Sequence, residues 1–194
     1  MKMNASNQIV LSLALLLTLT TLVAATAQET PAVPKLEPYV NKSAGFQAMM
    51  LPEPDYQAIK QGNGPKDVQH QFASGTSQGV YMVAYQDHPN LNGDDPEVVK
   101  AIFTVARDGF QKGLGGELTT EKRITLENRS GREMRFKIPS RNAEAWSRMF
   151  FQNQRWYHVF VLGTPDFVNS KDAKQFQDSF RILGRKLETN ENRP

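Results

Sequence analysis

The chain of 194 residues contains no cysteine, and that single absence removes disulfides, thiol nucleophiles, thiolate metal sites and lipid attachment through sulfur. The fold must therefore be held by its core, which a chain of this length is large enough to bury. Histidine is scarce: His70, His88 and His158 fall on separate predicted strands or strand ends, without the paired spacing of a histidine metal site. Charge of one sign is also lacking, since 23 basic against 20 acidic residues leave a net charge of only +3, too little to imply a polyanionic partner from the total. No internal repeat is visible. What remains, 39% hydrophobic and 22% charged residues with proline and glycine at ordinary levels, is the composition of a soluble globular protein.

Catalytic patterns are missing as well. Ser130 and Ser147 stand in no G-x-S-x-G elbow. The run Gly113-Leu114-Gly115-Gly116 follows a helical segment and lacks the Lys-Ser/Thr ending of a phosphate loop, so it reads as a helix stop. Glu121, Glu127, Glu133 and Glu144 would be the source of any carboxylate pair, but acidic residues on sheet surfaces are usually solvated. Asp87, Asp94 and Asp95 do not have the spacing of an EF-hand loop, and Asp95 is accounted for as a helix cap. The expectation is a non-enzyme with no catalytic residues, no metal and no cofactor.

The one long apolar run, Ile9 to Val23, follows Lys2 and ends at Ala25-Thr26-Ala27, a small-x-small cleavage site. These features predict a secretory signal peptide over 1–27, cleaved after Ala27, and export to a periplasmic or extracellular compartment. An uncleaved anchor is the alternative, because 19 residues from Ile9 to Ala27 approach the roughly 20 that span a bilayer. Membrane contact is otherwise not expected, nor is nucleic acid as a partner. Residues 28–44, with Pro31, Pro34 and Pro38, read as an extended linker, and 184–194 as a polar tail.

Between them, 45–183 reads as one monomeric α+β domain. Short strands are predicted around 45–51, 56–59, 68–73 and 80–85. Asp95-Pro96-Glu97 opens a helix that runs to about Lys112 with a wide apolar face, including Val98, Val99, Ile102, Phe103, Ala106 and Phe110. A shorter helix starts after Ser170. The stretch from Lys122 to Gly163 reads as consecutive antiparallel strands around which the rest is arranged. Matching Ile124 with Phe136 and Leu126 with Met134 on one face leaves Arg129-Ser130-Gly131 as a three-residue loop and places Arg123, Arg135 and Lys137 on the opposite face. The second hairpin turns near Asn153 and Gln154, where adjacent Trp156 and Tyr157 must point to opposite faces, so the sheet should be covered on both sides.

The order VYMVAYQDHP, DGFQKGLGGELTTEKRITLENRSGREMRF, RMFFQNQRWYHVFVLG and FQDSFRIL, spread over roughly 45–183, resembles the PsbP/Mog-like superfamily, particularly its exported bacterial members. The resemblance implies an α/β/α sandwich with a central antiparallel sheet flanked by helices, in a superfamily whose two named relatives both work by binding other proteins and whose exported bacterial members have no assigned function. It supplies no catalytic residue to carry over.

Between Glu121 and Arg155 lie nine bases against four carboxylates, a local excess of five positive charges. Arg123, Arg135, Lys137 and Arg148 are the candidate contact residues for a protein or anionic envelope component. The expected function is a non-enzymatic exported binding or assembly module. A carrier of a small apolar or amphipathic ligand, with Met49, Met50, Met82 and Phe103 as candidate lining, is the alternative, and a hydrolase stands behind it.

Overall fold

The computed structural model describes residues 35–62, 64, 67–91 and 95–183; the stretches expected to be a signal peptide and a polar tail lie outside them. Seven strands form one antiparallel sheet: β3 (Asp55–Lys60), β4 (Val68–Thr76), β5 (Gly79–Asp87), β6 (Glu117–Leu126), β7 (Arg129–Ile138), β8 (Ala143–Gln152) and β9 (Arg155–Gly163). Their spatial order is β3-β4-β5-β9-β8-β7-β6. A small second sheet joins β1 (Glu37–Asn41), β2 (Phe46–Met50) and β10 (Arg181–Ile182) in the order β1-β2-β10. Three α-helices, α1 (Pro96–Leu114), α2 (Pro165–Val168) and α3 (Lys171–Ser179), and one 3-10 turn, Pro139–Arg141, complete the described chain. The class is α+β with mostly antiparallel sheets, as expected.

The sheet has a core on each face. On one, Ile102, Phe103, Ala106, Phe110 and Leu114 of α1 pack on Met82, Met134, Phe136, Met149, Trp156 and Phe160. On the other, Phe46 and Met50 of β2, Phe167 and Val168 of α2, and Ala173 and Phe176 of α3 pack on Tyr81, Val83, Trp146, Tyr157 and Val161. Trp156 and Tyr157 thus enter opposite cores, as adjacent strand residues must. The second face is covered by the small sheet together with α2 and α3, not by helices alone.

Local signals explain the ends of α1. The Asp95 side chain accepts from the Glu97 and Val98 amides, and Gly115 takes φ 61°, the left-handed conformation that lets its amide reach back to the Gln111 and Lys112 carbonyls. Close approach explains two other glycines: at the junction of β5 and β9, Gly79 pairs with Gly163, and a Cβ on either would run into the Phe167 ring.

Three sequence expectations need correction. Part of the stretch read as linker, Glu37–Asn41, is a strand paired along its length with β2; it is an outer strand, where the missing amide of Pro38 costs no ladder bond, and Tyr39 packs on Phe46 and Phe72 at 6.0 and 6.1 Å. The strands β4 and β5 continue through the turn-rich Ser74–Gly79 to a tight turn at Ser77 and Gln78. The β6–β7 register also differs: Leu126 pairs with Arg129, Ile124 with Gly131 and Glu121 with Met134, so the turn is Glu127-Asn128, with Glu127 at φ 53°. Gly131 is not a turn residue; a Cβ there would collide with the Phe150 ring. The physical reason is the second core. Ile124 and Leu126 pack toward the β2/α3 side and Met134, Phe136 and Ile138 toward α1, so apolar residues of the two strands need not share a face.

Candidate functional site

With this register the four candidate bases separate. Arg123 stands opposite Arg132, on the face that carries α1. There it lines an open cleft of about 700 Å³ between the start of α1 and the two hairpin tips, with Lys100, Arg129 and Arg132. Arg135 and Arg148 lie on the other face, together with Glu133 and Trp146, because these residues are cross-strand partners in β7 and β8. Lys137 shares the face of Arg135 by strand alternation and is exposed, but it is not among the cleft-lining residues.

Arg135 and Arg148 enter a second cleft of about 450 Å³, closed on one side by the junction of α2 and α3 and lined by Lys122, Glu133, Arg135, Trp146, Arg148, Asn169, Ser170, Lys171 and Lys174. Each element brings its part for a local reason. Strand pairing places Lys122 of β6 beside Glu133 of β7 and Glu133 beside Arg148 of β8. Ser170 caps α3 by accepting from the Ala173 amide, which fixes Lys171 and Lys174 in the first turn at the rim. Gln177, buried, donates to the Trp146 and Val159 carbonyls and fastens α3 to the sheet.

The two arginines of this cleft are chemically unlike. Arg148 is held by two carboxylates: its Nε donates to Glu133 at 2.5 Å, and its Nη1 to the Gln177 carbonyl at 3.0 Å and to Asp178 at 2.8 Å. Lys122 holds the other oxygen of Glu133 at 2.9 Å, and Lys174 pairs with Asp178. The result is a chain of alternating charges, Lys122, Glu133, Arg148, Asp178 and Lys174, pinning α3 to β7 and β8. Burial by itself pushes Glu133 up, but the hydrogen bonds from Lys122 and Arg148 reverse this and hold its carboxyl below the usual range; Asp178 is held down in the same way by Lys174 and Arg148.

Arg135 has no carboxylate partner among the described residues. Its guanidinium lies over the Trp146 ring, 3.8 Å from the centroid, and Nη1 donates to the Asn169 side-chain oxygen at 3.0 Å. Asn169 in turn donates to Glu144 at 2.9 Å and to the Pro165 carbonyl at 2.8 Å, so the amide that orients Arg135 is itself fixed. Burial lowers the pKa of Arg135 and the nearby Arg148 adds to this, against the opposing influence of Glu133 and Glu144. The cleft therefore presents a half-buried, oriented guanidinium with no ion pair of its own among the described residues, and the exposed Lys171 lines the same cleft. Sequence reasoning singled out Arg135 but missed Trp146, Asn169 and Lys171, which only the folded topology brings to it.

The patterns weighed for chemistry come apart. His158 and Ser147 share a hydrogen bond of 2.8 Å, but both are essentially inaccessible (1% and 0% exposed), under Phe110 of α1. His70 stacks on Tyr85 at 4.5 Å on the opposite face, and no cluster of three metal-ligating side chains occurs among the described residues. Glu121 binds Arg107 and Arg132, Glu127 binds Arg129, Glu133 binds Lys122 and Arg148, and Glu144 binds Asn169, so no two of the four share a partner. Asp95 is used as the α1 cap, and Asp94 lies outside the described residues.

No family model matches the sequence, and neither does any curated protein. Among solved structures, the fold is similar to that of the cyanobacterial PsbP protein (CyanoP) of Synechocystis, with a TM-score of 0.50 at 10% identity over 81% of this chain and 98% of that one. A Pseudomonas aeruginosa protein of unknown function gives a TM-score of 0.41 at 11% identity over 82% and 99% of the two chains. A Bacteroides thetaiotaomicron protein gives 0.35 at 7% identity, over 77% of this chain and 49% of that one. The likeness to CyanoP supports the PsbP-like fold that the sequence words implied.

Proposed function

We propose that the protein is an exported, non-catalytic binding or assembly module of PsbP/Mog-like, α/β/α character, acting as a monomer, and that it engages a protein or anionic envelope partner through the cleft around Arg135. The observation that carries the reading is the guanidinium itself: oriented by Trp146 and Asn169, half-buried, and in direct contact with no carboxylate among the described residues. Leaving a desolvated cation uncompensated costs stability, and a partner anion would offset that cost. Lys122, Lys171 and Lys174 extend the positive surface at the rim. Of the four bases expected from sequence, Arg135 is the contact residue in this reading; Arg148 braces α3, Lys137 lies outside the cleft and Arg123 on the other face.

The rival readings find less support. Met50 belongs to one core and Met82 and Phe103 to the other, so they do not line one ligand pocket. The hydrolase reading would need a reachable nucleophile and base, and the Ser147–His158 pair is sealed inside the sheet.

The test is affinity capture from native envelope extract at low and high salt, with the unaltered protein and an Arg135→Glu, Lys171→Glu double variant. A partner held at low salt should be released as salt rises, because exposed charges are screened within about 10 Å at 0.1 M, and the double variant should not retain it. Equal retention by both proteins would move the contact surface away from this cleft.

A further inference from the structure

The charges around the cleft can be sorted by what already neutralises them. Lys122, Glu133, Arg148, Asp178 and Lys174 form one continuous chain of contacts in which each carboxylate lies between two cations. Arg135 and Lys171 stand outside that chain, and among the described residues neither makes an ion pair. Glu144 reaches Arg135 only through the Asn169 amide. The cleft therefore offers two cations without an ion-pair partner among the described residues, one on a planar fork and one on an exposed ammonium.

The fork is also set in place. Trp146 covers one face of the Arg135 guanidinium and Asn169 takes a single donor, leaving four of its five N–H groups without a partner among the described residues. A planar edge with paired donors matches two oxygens of one oxyanion, and a neighbouring ammonium suits a third oxygen as a point charge. A carboxylate or a phosphodiester brings one negative charge, whereas a phosphomonoester brings nearly two and three acceptor oxygens.

Resting on the binding-module reading above, we infer that the cleft takes the terminal phosphate of a phosphomonoester, gripped by Arg135 with Lys171 alongside. The phosphate can come from a soluble phosphoester or from a lipid head group of the phosphatidic acid type, and the experiment separates the two sources.

The chain has only two tryptophans, and Trp146 lies directly beneath Arg135 while Trp156 lies in the core on the other face. A Trp156→Phe protein therefore reports on the cleft through Trp146 emission, and calorimetry on the unaltered protein gives the same affinity without any substitution. The probes are glycerol 3-phosphate, propionate and dimethyl phosphate in solution, and phosphatidylcholine vesicles carrying phosphatidic acid or, at equal surface charge, phosphatidylglycerol. Glycerol 3-phosphate should bind saturably at one site, at least about tenfold more tightly than either singly charged anion. Arg135→Lys, which keeps the charge and removes the fork, should weaken it by about tenfold, and Arg135→Gln should abolish it. Arg135-dependent retention on phosphatidic acid vesicles without binding of glycerol 3-phosphate supports the inference with the lipid as source. Equal binding of propionate, or binding unchanged in Arg135→Gln, overturns it, as does failure of both phosphomonoester probes. If the phosphate probes fail while envelope capture still depends on Arg135 and Lys171, the module reading stands and its partner presents a different anion.

Discussion

Lowering the pH from 7.5 to 5.0 should destabilise this protein through one buried imidazole. His158 is 1% exposed, bonded to Ser147 at 2.8 Å and enclosed by Phe110, Trp156 and Phe160. Burial drives its pKa down from an ordinary 6.5 to about 3. Between these values the unfolded chain binds a proton that the folded chain refuses, so stability falls as pH drops through 6.5 and goes on falling toward 3. With those two values the loss at pH 5.0 relative to pH 7.5 is about 2 kcal/mol, or roughly 4 to 8 °C in Tm for a domain of this size. His70 and His88 are also held down, chiefly by burial, and act in the same direction. The carboxylates of Glu133 and Asp178 titrate below the window. Urea unfolding of the unaltered protein and of a Ser147→Ala, His158→Leu variant, each at both pH values, isolates the effect. Replacing both partners by apolar groups leaves no orphaned buried donor. The variant should lose about 2 kcal/mol less than the unaltered protein over the interval. Equal losses in the two proteins would refute the assignment to His158.

The remaining predictions concern the frame and the leader. Arg155 makes two bonds to Asp87 at 2.6 and 2.7 Å, donates to the Ala44 carbonyl at 2.8 Å and lies over the Tyr85 ring, so it ties β9 to β5 and to the start of β2. Arg155→Met should cost roughly 2 to 4 kcal/mol in denaturant unfolding, discounted for the partial exposure of Asp87, and a loss below about 1 kcal/mol would mean the latch is dispensable. For the leader, intact mass and N-terminal sequencing of the protein from its native host should find Gln28 first; a population retaining residues before it would favour the anchor.

What could be read in the sequence was what neighbouring residues decide. The capping Asp95, the proline after it and Gly115 past the last turn delimit α1 by local hydrogen bonding, and the turn at Asn153 and Gln154 lies between two strongly patterned strands. The adjacent Trp156 and Tyr157 already required two covered faces. The first hairpin failed on that same ground. Matching apolar residues across a pair fixes the register only when one face is buried. Here both are, so the apolar match does not fix it, and Gly131 lies within β7 opposite Phe150 of β8, where a Cβ would meet the ring, rather than in the turn. The outer strand β1 was obscured by Pro38, and β10 has only two residues, too few to carry a period.

The site was legible only as an excess of positive charge, and the excess overstated it. Arg135 and Arg148 differ little as sequence: both lie on strands of the same basic stretch. Folding makes them opposites. The β7–β8 register puts Glu133 against Arg148, and α3 brings Asp178 to its other side, so this guanidinium becomes part of the framework. Two residues along β7, the same face offers Arg135 a tryptophan ring and an amide instead of an acid. An uncompensated cation is thus a property of the tertiary neighbours that are absent, which no spacing within a strand records. Reading it requires knowing that Asn169, between two short helices, arrives with its oxygen toward Arg135 while its amide nitrogen holds Glu144 at one remove. Replacement of that amide by a carboxylate would fill the position a ligand anion is argued to take, which is why the neutral side chain at 169 matters as much to this site as the positive one at 135.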